Sequence, residues 1–155
     1  MVLPRTYPDI DCSIARTLEV VGDRWTLLVV RNVLVAGMTR FEQFQQSLGI
    51  APNVLTDRLT RLTEAGVLCQ RQYLDRPARF EYVPTDKGRA LWPVLAAMIT
   101  WGDEYYAPNE PPRQLLHDQC GGRLVAALVC TTCSTPVPLD QVVTIERDGT
   151  TTSAS

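Results

Sequence analysis

The residues with the most distinctive chemistry lie late in the chain, as His117-x-x-Cys120, nine intervening residues, then Cys130-x-x-Cys133. One imidazole and three thiols in two tight pairs match the four-coordinate nitrogen and sulfur set of a structural zinc site. All four would be ligands, which leaves no open position for a catalytic water. The surrounding segment is too small to build a core of its own, so a Zn2+ ion would account for its order. Ser134 stands where a glycine usually follows the second pair. Free thiols on a docked hairpin and a thiol switch are the other two readings of the same residues. Of the other cysteines, Cys12 sits just before the first helix, where amide donors could lower a thiol pKa and give it a redox role. A lone cysteine is more often a small buried hydrophobe, and burial is expected of both Cys12 and Cys69. Five cysteines, an odd number, and an N-terminus without the pattern of a secretory leader lead to the expectation of a cytoplasmic protein without a disulfide framework.

A second constellation suits duplex DNA. Pro52 opens an amphipathic segment whose polar face carries Asn53, Thr56, Asp57, Thr60 and Arg61, with Asn53, Thr56 and Arg58 as candidate base readers and Thr60 and Arg61 placed for edges or phosphates further along. Short polar and basic side chains near the start of a helix are what base edges in the major groove require. The plainer alternative is a solvated face with Asp57 and Arg61 paired at i,i+4. Arg76 and Arg79 flank a turn further on, where long cationic side chains can reach the minor groove or neighbouring phosphates. The formal net charge of −2 does not favour nucleic acid, but residues 52–89 hold seven basic side chains against five acidic ones. Enzyme signatures are missing: there is no phosphate-cradling glycine loop and no metalloprotease helix motif. The deaminase pattern fails because Asp118 and Gln119 follow His117, and no strand-helix-strand frame surrounds Cys130 and Cys133 to make a dithiol oxidoreductase.

The elements that must hold these residues follow from periodicity and punctuation. Ile14, Leu18 and Val21 mark a first helix stopped at Gly22. Asp23 caps a buried second helix, Trp25 to Leu34, closed by Gly37. Thr39 with Glu42 has capping-box spacing, ahead of a third helix with Phe41, Phe44 and Leu48 on one stripe and Gly49 at its end. Leu55, Leu59 and Leu62 give the apolar stripe of a fourth, up to Gly66. The third and fourth, joined by a tight turn, have the layout of a helix-turn-helix. Val67 to Tyr73 and Arg79 to Val83 read as a hairpin with its tip at Asp75-Arg76-Pro77-Ala78. Thr85 then caps a long helix to about Tyr105, which Pro93 should kink or delay. That helix has two apolar stripes, Leu91-Leu95-Ile99 and Val94-Met98-Trp101-Tyr105, and the second needs a partner, most simply a second copy of the chain. Trp25, Trp92, Trp101, Tyr105 and Tyr106 could line an effector cavity, although aromatics at helical spacing are more often core. No internal repeat is evident, and no apolar run is long enough to cross a bilayer.

From Cys12 to about Tyr106 the chain resembles the HxlR family of bacterial regulators, which are MarR-like winged-helix proteins. The residues that carry the resemblance are Leu18-Glu19-Val20-Val21-Gly22-Asp23-Arg24-Trp25, Arg40-Phe41-Glu42-Gln43-Phe44, Ile50-Ala51-Pro52-Asn53-Val54-Leu55, Glu81-Tyr82 with Thr85-Asp86-Lys87-Gly88, and Pro93-Val94-Leu95 with Trp101-Gly102. Ser13 departs from the family, where a proline usually follows the cysteine, and this weakens a redox role borrowed for Cys12. The resemblance implies a mainly α, α+β winged helix-turn-helix and a homodimer assembled through its first and last helices. It also implies a palindromic operator in double-stranded DNA, often repression, and Arg40 among the DNA-contacting residues. The resulting plan is an arm over residues 1–11, a DNA-binding and dimerisation domain over 12–107, and a linker over 108–114. A zinc-ribbon-like segment over 115–147 and a disordered tail over 148–155 complete it. A protein-interaction or thiol-sensing module that does not bind an operator is the alternative.

Overall fold

The computed structural model describes residues 6–107, 109, 111–145 and 147–153. The chain forms two compact units, Met1–Trp92 and Pro93–Ser155. The first unit begins with α1 (Ser13–Val21), α2 (Arg24–Ala36), α3 (Phe41–Leu48) and α4 (Pro52–Glu64). Residues 6–11 are tied back onto α1: Arg16 donates to the carbonyls of Tyr7 and Ile10 at 2.9 and 3.1 Å, and Glu19 accepts from the Tyr7 amide at 2.6 Å. Residues 1–5 of the expected arm lie outside the described residues.

Asp23 caps α2 as expected, its Oδ1 accepting from the amides of Trp25 at 2.9 Å and Thr26 at 3.3 Å. The start of α3 differs from the expectation by one position. Arg40 occupies the cap, and the oxygen that reaches back is that of Gln43, which accepts from the amides of Thr39 and Arg40 at 3.0 and 2.9 Å. Arginine has no acceptor atom, so only this half of a capping box can form. Gly49 turns α3 into α4 at φ 59°, a left-handed conformation that side-chain-bearing residues resist. Pro52 then takes the first position of α4.

The core of this unit is built by the predicted stripes. Val29, Val30, Phe44, Leu55, Leu59, Leu62 and Val67 are each at most 1% exposed. Burying a side chain of this kind contributes about 1.5–3 kcal/mol, so the three leucines of α4 suffice to fix it against α2. Asn32 is also fully buried; its Nδ2 donates to Ser47 Oγ at 3.2 Å, and its Oδ1 has no partner among the described residues.

After α4 come β1 (Leu68–Asp75) and β2 (Ala78–Pro84), an antiparallel hairpin paired from Leu68↔Pro84 to Asp75↔Ala78, with the register shifting by one at Tyr73, between Gln72↔Phe80 and Leu74↔Arg79, and turning at Arg76-Pro77. Cys69, expected in the core, is exposed. Leu68 is the only buried residue of β1, because no second layer covers the hairpin beyond it. The expected long helix is in two pieces, α5 (Asp86–Arg89) and α6 (Trp92–Tyr106). Pro93 falls in the first turn of α6, where its missing donor has no intrahelical partner. Thr85 caps α5 by accepting from the Gly88 amide at 3.1 Å, and its hydroxyl donates to the Gly66 carbonyl at 2.6 Å.

The second unit contains α6 and the segment beyond it. Its strands β3 (Val143–Ile145) and β4 (Thr151–Ser153) pair antiparallel, Val143 opposite Ser153. The expectation of a disordered tail from residue 148 therefore fails at 151–153, where threonines suited to strand conformation find a partner. Pro108 and Glu110 of the expected linker, Glu146, and the terminal Ala154 and Ser155 lie outside the described residues. No helix among the described residues is long and apolar enough to cross a membrane.

Candidate nucleic-acid interface

The outward face of α4 starts at its N-terminus. Pro52, Asn53, Thr56 and Thr60 are exposed and Arg61 is half-buried, while the leucines face inward. Thr56 donates its hydroxyl to the Pro52 carbonyl at 2.9 Å, which fixes its rotamer one turn into the helix. These five residues form one polar surface beside the Gly49 turn.

Arg58 does not join them. Its guanidinium clamps Asp23, with Nε 2.9 Å from Oδ1 and Nη2 3.2 Å from Oδ2, and also bonds Asp57. Only 14% of its side chain is exposed. Arg58 therefore ties α4 to the cap of α2, and Asp57 pairs with Arg58 rather than with Arg61. Burial raises the Asp23 pKa, but the Arg58 charge and the amides of Thr26 and Trp25 outweigh it and hold the carboxyl below its ordinary value. The spacing of residues 23 and 58 in sequence gave no sign of this pair.

The hairpin is anchored to the same body both near its base and towards its tip. The Tyr82 amide donates to the Thr39 carbonyl at 2.7 Å, in the loop between α2 and α3. The Arg40 guanidinium lies 4.6 Å from the Tyr73 ring centroid, a cation–π contact between the cap of α3 and β1. Arg71 on β1 bonds Glu81 across the strands at 2.9 Å. The Glu81 carboxyl is held below its ordinary pKa by hydrogen bonds from Arg71 and Thr39. Beyond these ties, Arg76 and Arg79 are exposed at the tip and make no ion pair among the described residues. None of these cross-ties was visible in periodicity alone; Arg40 entered only through the family resemblance.

The His/Cys segment forms two separate pairs. His117 Nδ1 lies 3.1 Å from Cys120 Sγ. Amides of Cys133 and Thr132 pull the Cys130 thiol below its ordinary pKa. Among the described residues no three His, Cys, Asp or Glu side chains group as metal ligands. Cys12 is exposed at the N-cap of α1 with no side-chain capping bond, so the buried role expected of it does not hold. Trp101, Tyr105 and Tyr106 are likewise not core: Trp101 meets Tyr105 at a tilt and Tyr106 edge-on, each with ring centroids 5.4 Å apart, and the three are 56–78% exposed. The cleft of about 400 Å³ in the second unit is lined by Ile99, Asp103, Glu104, Leu115 and Arg123, not by these aromatics.

A helix–turn–helix pair α3–α4 packed on α2 and followed by an antiparallel hairpin defines a winged helix-turn-helix, the fold of a large class of transcription regulators rather than of enzymes. Residues 20–110 match the family described as HxlR-like helix-turn-helix, and the chain belongs to it. An uncharacterized HTH-type transcriptional regulator of Mycobacterium tuberculosis strain H37Rv is 41% identical over 122 residues, 78% of this chain and 77% of its own. The solved structure of PA1607, a candidate transcription factor, is 38% identical with a TM-score of 0.78, covering 90% of this chain and 97% of that one. The redox regulator HypR in its oxidized form is 30% identical with a TM-score of 0.55, covering 60% of this chain and 96% of that one. The 90% match must take in part of the segment beyond α6, whereas the HypR match does not require it.

Proposed function

We propose that the protein regulates transcription by binding a specific duplex operator as a homodimer, most simply as a repressor acting on a palindrome. The observation that carries this is the polar face of Pro52, Asn53, Thr56, Thr60 and Arg61 on α4, paired with a wing whose tip presents Arg76 and Arg79. In this reading α4 enters the major groove and reads base edges, while the wing and Arg40 supply phosphate and minor-groove contacts. Dimerisation is supported by two unpartnered stripes. Val94, Met98, Trp101 and Tyr105 on α6 are 43–61% exposed, and Ile14 and Leu18 on α1 are 69% and 46% exposed.

The test is selection of duplexes from a random pool by the purified protein, with salt titration of the winners. Enrichment of a palindrome with half-sites about 34–36 Å apart supports the proposal. Enrichment of no sequence, or affinity indifferent to salt, overturns it in favour of a protein-interaction module. Cys12 favours a second, compatible reading in which thiol oxidation releases DNA. It is exposed at a helix start, and HypR, a relative in fold, is a redox regulator. Oxidant-sensitive operator binding that persists in Cys12→Ser would refute it.

A further inference from the structure

We infer that His117, Cys120, Cys130 and Cys133 bind one zinc ion that joins two structurally equivalent turns. The sequence shows no repeat, but the backbone does. The Gly121 amide donates to the His117 carbonyl at 2.8 Å, and the Ser134 amide donates to the Cys130 carbonyl at 2.9 Å. The His117 amide donates to Gly122 at 2.8 Å, as Cys130 does to Thr135 at 3.0 Å. The Leu124 amide donates to Leu115 at 2.8 Å, as Val137 does to Leu128 at 2.9 Å. Isolated bridges Leu116↔Arg123 and Val129↔Pro136 occupy matching places. Each of these backbone bonds of the first turn thus recurs 13 residues later, and so do the donor positions: His117 becomes Cys130, and Cys120 becomes Cys133.

The residue after each second donor is left-handed, Gly121 at φ 69° and Ser134 at φ 57°. Ser134 is the one non-glycine residue with positive φ among those described. The absence of glycine there spoke against zinc in the sequence. The backbone nevertheless adopts the conformation that turns the chain back around a metal-binding pair, with a serine in a region serine disfavours.

Apolar burial does not hold this segment together. Among the described residues of 111–145 none is buried, and Leu116, Val125, Leu128 and Val129 are 49–78% exposed. Two turns without a core need a link of another kind, and four-point coordination supplies one. The donor chemistry fits: three sulfurs and one imidazole nitrogen favour Zn2+ over hard cations. The His117–Cys120 approach of 3.1 Å is close to the ~3.5 Å that two ligands of one tetrahedral zinc would keep.

The experiment is an anaerobic Co2+ titration of the full-length reduced protein, with zinc content measured on the same preparation. Saturation at one ion per chain is expected, with thiolate-to-cobalt charge transfer, a tetrahedral visible spectrum, and displacement by Zn2+. Cys120→Ser and Cys133→Ser should each lose the charge-transfer band, and Cys69→Ser should keep it. Should the serine variants misfold, His117→Cys provides a gain of signal, since a fourth thiolate strengthens the band. Absence of stoichiometric metal, an octahedral spectrum, or equal binding by Cys133→Ser overturns the site. None of these readouts depends on DNA.

Discussion

Breaking the pair between Asp23 and Arg58 should cost stability in a pattern that separates a structural tie from a DNA contact. Asp23 does two jobs: it caps α2 through two amides and holds Arg58 through two more bonds. Losing a cap costs about 1 kcal/mol. A hydrogen-bonded charge pair contributes about 1.5–3 kcal/mol when dry. The Asp23 side chain is 38% exposed, so solvent screening brings the pair down to about 1–2 kcal/mol. Asp23→Ala should therefore lose about 2–3 kcal/mol in urea unfolding. Asp23→Asn, which keeps the cap, and Arg58→Met should each lose about 1–2 kcal/mol. The double variant Asp23→Asn/Arg58→Met should lose little more than either single one. Additivity within ~0.3 kcal/mol would refute the tie. In the same variants the salt dependence of duplex binding should stay near wild type. A changed slope with no coupling in stability would return Arg58 to the DNA-facing set.

The same pair has a pH signature: because the folded Asp23 pKa lies below its unfolded value, its stabilisation is complete above the unfolded value and fades as pH falls through the folded one, a loss absent from Asp23→Asn. Gly88→Ala should destabilise by about 1–3 kcal/mol or more in thermal melts, since the new Cβ would stand 2.2 Å from the Val67 carbonyl oxygen. Met98→Glu places a charge on the exposed stripe of α6 and should shift the protein to monomer in sedimentation; an unchanged dimer would move the interface elsewhere. Arg76→Ala should weaken binding to all duplexes and reduce the salt slope by about one, whereas Asn53→Ala should relax sequence preference with the slope intact.

What the sequence made legible was whatever depends on neighbours along the chain. Asp23, Gly37 and Gly49 punctuate helices through local backbone chemistry, and the Leu55-Leu59-Leu62 stripe identifies its own buried face. Pairings across 35 residues carry no such mark, so Arg58 looked like a base-reading residue when its partner was a helix cap. The exposures of Cys69, Cys12 and Trp101 were misjudged for a related reason. Side-chain type reports a preference for burial, while burial itself needs an opposing surface, and these positions are exposed among the described residues. At Thr39, capping-box spacing was satisfied by two residues in adjacent registers, and Gln43 prevailed because it alone bonds both amides.

The hairpin is fastened to the helical body at two points, by the Tyr82–Thr39 bond near its root and by the Arg40–Tyr73 contact towards its tip, so only the turn beyond Tyr73 is unsupported. A lever held at two points along its length keeps its bearing when its free end is altered. Insertions or deletions in pairs around Arg76-Pro77 would therefore change how far the wing extends without changing its direction relative to α4. Variation at Tyr73 or Arg40 would free the outer part of the arm to swing about its Tyr82 anchor. Reach and aim are thus set by different residues, and relatives could acquire differing spacings between their two DNA contacts through the tip alone.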